Sequence, residues 1–169
     1  MEATVKLYSL NLKETRTYLF ALLFIAGNIL LPQLCHLVPG GGLTWLPIYF
    51  FTLIAAYKYG LSVGLLTAIL SPLVNSIFFG MPPAAVLPII LIKSTLLALS
   101  AAYAAKYFGK VTIVGVLLAV LAYQVVGTLI EWAMVKDFFA AVSDFRIGIP
   151  GILVQIVGGY LLLRALANK

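Results

Sequence analysis

The sequence predicts an all-α integral membrane protein, and three observations carry that prediction. Hydrophobic residues make up 63% of the 169-residue chain and charged residues only 9%. Soluble domains carry about 25% charge because their surfaces face water. Here the mean hydropathy is +1.13, so the surface must face lipid. Second, the apolar residues fall into six runs without the period-two alternation of strands, and a bilayer offers no water to unpaired backbone groups. Third, the lysines and arginines flank these runs instead of clustering among polar residues. That placement is an orientation signal, so the net charge of +6 implies no nucleic-acid partner.

Residues 1–169 read as a single six-helix membrane domain, with residues 1–16 a polar N-terminal segment. No small-residue cleavage site follows the first apolar run, so a cleavable signal peptide is not expected. That first run spans about Thr17–Leu37, with Pro32 toward its outer part, and leads into a V-P-G-G-G-L loop. The second, about Thr44–Tyr57, is short for a full crossing. Next come about Tyr59–Phe79, Ala84–Tyr107, Val111–Val135 and Ile147–Ala167, each near the roughly 20 residues that a spanning helix needs. Small residues recur at helical spacing in two of them, Gly60, Gly64 and Ala68, then Ala98 with Ala102 and Ala101 with Ala105. Such residues let helices approach closely in lipid.

An even number of spans puts both termini on one side. With the termini inside, Lys6, Lys13, Arg16, Lys58, Lys106, Lys110, Arg164 and Lys169 lie inside, against Lys136 and Arg146 outside. Both termini are therefore expected in the cytoplasm, with the protein a multi-pass resident of the cell membrane. The outer connections are then residues 38–43, the turn Gly80-Met81-Pro82-Pro83, and K-D-F-F-A-A-V-S-D-F-R after Val135. The last has room to act as a lid.

Lys93 falls inside an apolar run. A helix starting near Ala84 would carry it about 14 Å inward. A lone ammonium at that depth costs about 2.5–3.5 kcal/mol, so Lys93 needs a partner or a ligand. On the fifth run, Gln124, Gly127, Thr128 and Glu131 share one stripe, which places Gln124 level with Lys93 and Glu131 near the mouth. On the third, Gly64, Ser71 and Asn75 share a face. Lys93, Asn75, Gln124 and Glu131 are thus the candidate substrate-binding residues. Two simpler roles stay open: a fixed Lys93–Glu131 ion pair, and interhelical hydrogen bonds for Asn75 and Gln124. Trp45 and Trp132 sit at outer boundaries, where aromatic belts are normal and pocket walls are the second reading.

Cys35 is the single cysteine, which excludes an intramolecular disulfide; with one histidine in the chain, Cys35-His36 is no metal pair. No metalloprotease helix, nucleophile elbow or phosphate-cradling loop is present, so neither an enzyme nor a cofactor is expected.

The stretch Pro72–Pro83, P-L-V-N-S-I-F-F-G-M-P-P, resembles the P-L-x-S-S-x-x-x-G-M-P-P hairpin of S components, the vitamin-binding membrane subunits of energy-coupling factor (ECF) transporters. The likeness runs from Leu46-Pro47 through Lys58–Leu66 to the fourth helix, about residues 45–105. It implies six helices, cytoplasmic termini, and toppling of the whole subunit to present its site inward. It also implies partners that this chain does not supply: a transmembrane coupling subunit and ATPase subunits. Three positions depart from the pattern. Ala21 is followed at the fourth place by Ile25, Trp45 stands where a histidine is expected, and Lys93 stands where relatives carry an acid.

The resulting expectation is a capture subunit that binds a vitamin-like small molecule in an outward pocket between the third to sixth helices. Lysine in place of a carboxylate favours a carboxylate-bearing ligand. A self-sufficient secondary carrier or channel is the alternative; its inverted halves are not visible in the sequence. A membrane enzyme would need an acid–base or metal constellation beyond Lys93 and Glu131.

Overall fold

A local turn launches the first helix: Glu14 Oε1 accepts the Asn11 amide at 3.0 Å, and the Thr17 hydroxyl donates to the Asn11 carbonyl at 2.6 Å. Helix α1 then runs over Thr15–Cys35. The computed structural model describes residues 7–167, so two of the counted cations, Lys6 and Lys169, lie outside the described residues. No strand occurs among the described residues.

Proline at 32 has no N–H to give the Asn28 carbonyl one turn earlier, a loss that a neighbouring helix must make good inside a membrane. Asn75 does so, its Nδ2 donating to the Asn28 carbonyl at 2.9 Å.

The second predicted run is broken rather than continuous. It forms α2 (Gly41–Trp45), a 3-10 turn (Pro47–Tyr49) and α3 (Phe50–Tyr59). Leu46, between α2 and the 3-10 turn, has a φ of +46°. From Leu53 to Tyr57 every residue of α3 is buried. A 10-residue helix buried from Thr52 to Tyr59 is a core element and not a lipid-facing span. It packs against α1, α5 (Leu87–Phe108), α9 (Gly159–Ala167) and α4 (Leu61–Phe79). The α3–α4 contact is tight: a Cβ on Gly64 would lie 2.5 Å from the Ala56 Cβ.

The hairpin after α4 turns through Gly80 at a φ of +66°, which glycine adopts without penalty, and a cis Met81–Pro82 peptide. Helix α5 spans Leu87–Phe108, three residues later than the expected Ala84. Pro88 sits in its first turn, where the missing N–H is harmless. Lys93 is therefore about 9 Å along the helix and not 14 Å. Helix α6 (Ile113–Val135) is capped by Thr112 Oγ1, which accepts the Gly115 amide at 3.0 Å.

After α6 the predicted loop is helical. Asp137 Oδ1 accepts the Phe139 and Ala140 amides at 2.9 and 3.2 Å and starts α7, Phe138–Ile147. Next come α8 (Ile149–Leu153), a π turn (Val154–Gly158) and α9.

Five runs among the described residues are long and apolar enough to cross a membrane: α1, α4, α5, α6 and Ile149–Leu166. Their outward residues, among them Leu19, Leu22, Leu30, Ile77, Phe78 and Leu161, are large and apolar. By length and composition this is a multi-pass membrane protein. The five-run count is one short of the expected six, and the missing one is the broken second run.

The two ends of the bundle differ. At one, Tyr8 N–H donates to the Lys58 carbonyl at 2.8 Å, and Lys58 Nζ donates to the Leu166 carbonyl. Lys13, Arg16, Lys106, Lys110 and Arg164 belong to this basic end. At the opposite end α2, α7 and the Gly80–Pro83 hairpin gather.

Candidate functional site

Lys93 enters the bundle from α5 against α6 at a glycine. A Cβ on Gly127 would lie 2.7 Å from the Lys93 Cγ, so the lysine stem occupies the space a side chain would take. One turn further along α6, Glu131 places Oε2 at 2.5 Å from Lys93 Nζ. From the other side Asp144, on α7, places Oδ2 at 2.9 Å. The side chains of Lys93, Glu131 and Asp144 are 1%, 12% and 23% exposed, so the cluster grades from sealed to accessible. Removing one partner of a buried pair costs about 3–5 kcal/mol, because an uncompensated charge is left behind. With all three ionised, two carboxylates face one ammonium and the cluster carries a net negative charge.

Asp144 also lines a cavity of about 360 Å³ at the non-basic end. That volume falls in the range of small-molecule sites. Its walls come from the end of α1, the α2–α3 junction, the Met81–Pro83 hairpin and the start of α5. They are apolar apart from Asp144, His36 and Tyr49. The His36 ring lies over Gly42, and its Nδ1 is 2.6 Å from the Pro32 carbonyl, which fixes a proton on Nδ1 because a carbonyl can only accept. A larger cavity of about 650 Å³ opens at the basic end, with Lys106 the one charged residue in its lining. It holds no part of the charge cluster. The smaller cavity, where polar groups converge in an apolar wall, is the candidate site.

Beneath the cavity a chain of ring and hydrogen-bond contacts ties the α2–α3 junction, α6 and the last span together. The Tyr49 and Tyr123 rings lie 5.3 Å apart. Tyr123 Oη donates to Gln155 Oε1 at 2.8 Å and accepts from Gln124 Nε2 at 3.1 Å. Gln155 Nε2 reaches the Leu46 carbonyl at 3.4 Å, which holds the residue with the left-handed backbone. Ser94 Oγ, next to Lys93 in sequence, and Gln124 Oε1 and Thr128 Oγ1, on the α6 stripe, are buried without a hydrogen-bond partner, while Glu131 Oε2 meets Lys93 as an ion pair.

Of the residues singled out from sequence, Lys93 and Glu131 are brought together, and Gln124 lies two turns from Glu131 on the same stripe in the tyrosine chain. Asn75 stands elsewhere. It bonds the Asn28 and Ser71 carbonyls and accepts from Gln33 Nε2 at 3.5 Å, all on α1 and α4. Trp45 and Trp132 are 43% and 45% exposed, outside the cavity lining, and Trp132 meets Phe138 edge-on at 5.3 Å. Sequence reasoning missed Asp144, Tyr49, Tyr123 and Gln155. Gln155 had a signal, as the one uncharged polar side chain within Ile149–Leu166 apart from Tyr160. Asp144 had a weaker one: the Asp137 cap followed by an amphipathic turn.

No protein-family model, curated protein or solved structure matches the chain.

Proposed function

We propose that this protein is the substrate-capture subunit of an ECF-type, ATP-driven importer of the cell membrane. It binds a vitamin-like small molecule in an outward-facing pocket. The carrying observation is the buried Lys93–Glu131–Asp144 cluster, which meets an apolar cavity through Asp144 at the non-basic end. An intramembrane ionisable cluster beside a cavity is by default a ligand or transport site. In this reading Pro47–Tyr59 is the sixth crossing, since it joins the two ends of the bundle, and the basic end with both termini faces the cytoplasm. The Pro72–Pro83 hairpin, resembling that of S components, contributes three residues to the cavity wall through Met81, Pro82 and Pro83. In this reading the chain acts as a binding protein. Its coupling subunit and ATPases are separate chains.

Reconstitution tests the reading. The purified chain alone should bind one vitamin-like ligand tightly, yet transport it into liposomes only together with coupling and ATPase subunits and ATP. Uptake by the lone chain without ATP would instead establish a self-sufficient carrier or channel.

A further inference from the structure

Lys93 would need one carboxylate for neutrality, and it has two. The pair is not symmetric. Glu131 lies closer, at 2.5 Å, on the stripe of α6 that also packs the lysine stem at Gly127. Asp144 lies at 2.9 Å on a short helix that meets the cavity through this residue, and it is the more exposed of the two. If Asp144 turned to another cation, Lys93 would keep Glu131 and would not be orphaned. If Glu131 left, the sealed end of the lysine would lose its nearest counter-charge. The arrangement therefore has one permanent partner and one that can be exchanged at low cost.

The rest of the cavity fits an exchange with a cation better than with an anion. The acidic excess disfavours a second negative charge. An anion would have to approach Lys93 through two carboxylates that already occupy it. Tyr49 adds an aromatic residue to a wall that is otherwise aliphatic, methionine, proline or glycine apart from His36 and Asp144, and aromatic rings attract organic cations. Deeper on the Glu131 stripe, Gln124 Oε1 is a buried acceptor without a donor.

We infer that the pocket takes an organic cation, a small molecule with a protonated amine or a positively charged nitrogen ring, and that Asp144 leaves Lys93 to bind it. This rests on the capture reading above and names the ligand class of that site. It also replaces the carboxylate-bearing ligand expected from Lys93 alone, because that expectation took the lysine as the dominant charge.

The test is thermal shift followed by calorimetry on the full detergent-purified chain. Its probes are water-soluble vitamins and their heterocyclic precursors, grouped as cations, neutral molecules and anions. A cation is expected to be the tight binder. Asp144→Asn should weaken it at least tenfold, and Asp137→Asn, an exposed residue whose replacement still caps α7, should leave it unchanged. Melting of the unliganded Asp144→Asn protein reports whether it folds, and Asp144→Glu should restore part of the binding. A tight anionic or neutral ligand would overturn the inference while the capture reading stands. So would a tight cation indifferent to a folded Asp144→Asn. Binding by no member of the panel would count against the capture reading itself and take the inference with it.

Discussion

An ammonium that touches two carboxylates responds to substitution differently from one in a simple pair. Lys93→Met leaves Glu131 and Asp144 facing each other with no cation between them. The expected loss is about 3–5 kcal/mol, read as a lowered melting temperature in detergent. Asp144→Asn should cost only about 1 kcal/mol in the absence of ligand, since Lys93 keeps Glu131 and Asp144 is partly exposed. The triple variant Lys93→Met/Glu131→Gln/Asp144→Asn removes every charge and should recover most of the loss of the single lysine variant. Simple additivity of the three substitutions would show that the groups do not act as one cluster. Glu131 was legible from the Gln124–Gly127–Glu131 stripe because helical periodicity brings its members together locally. Asp144 lies 51 residues from Lys93, beyond a chain reversal at Lys136 whose φ of +58° no pattern announces. Its arrival at the lysine is a tertiary fact.

At the scale of elements, the junction of α1, α3 and α4 is organised by a defect. Pro32 frees the Asn28 carbonyl, and Asn75 repairs it from α4. The Asn28 side chain meanwhile donates to Thr52 Oγ1 and Ser71 Oγ at 3.0 and 3.3 Å and accepts the Phe51 amide at 3.1 Å. That last bond satisfies an amide in the first turn of α3, which has no side-chain cap of its own. Asn75→Ala should therefore cost about 1–2 kcal/mol in wild type and markedly less in a Pro32→Ala background, where residue 32 supplies the missing N–H. Equal costs in both backgrounds would sever Asn75 from the proline defect. Close packing makes a second prediction here. Gly64→Leu must push α4 from α3 at Ala56, and a loss of about 1–3 kcal/mol in thermal unfolding is expected. Five of the apolar runs were legible to within a few residues, because each is a long stretch of apolar residues. The second was not, because Pro47 and the positive φ at Leu46 cut it into pieces whose burial comes from neighbours. The start of α5 was misjudged for a related reason: Ala84–Val86 are apolar, yet they sit in the turn that the prolines impose.

For the molecule as a whole, charge is distributed along one axis. Lys13, Arg16, Lys58, Lys106, Lys110 and Arg164 gather at the end opposite the cavity, and Lys136 and Arg146 lie on the cavity side. In the proposed reading the positive-inside bias turns the basic end to the cytoplasm and the cavity to the outside. Burial sharpens the consequence, since Lys93 then sits about 9 Å into α5 from its outer end, close enough for a ligand arriving from outside to reach Asp144. The assignment can be checked without any ligand. In a Cys35→Ala background, Lys136→Cys and Lys106→Cys each place one thiol on an exposed position at opposite ends of the bundle. A membrane-impermeant maleimide added to intact cells should label the residue-136 thiol, and label residue 106 only after the membrane is permeabilised. Helix α7 adds a second reading to the same assay. Asp137→Ala removes the acceptor for the Phe139 and Ala140 amides, at a cost of about 1 kcal/mol to the helix that carries Asp144. A thiol at exposed Phe139 should then label faster from outside. The reversed labelling pattern, with residue 106 reached first, would turn the cavity toward the cytoplasm, and a capture subunit cannot collect its substrate from that side.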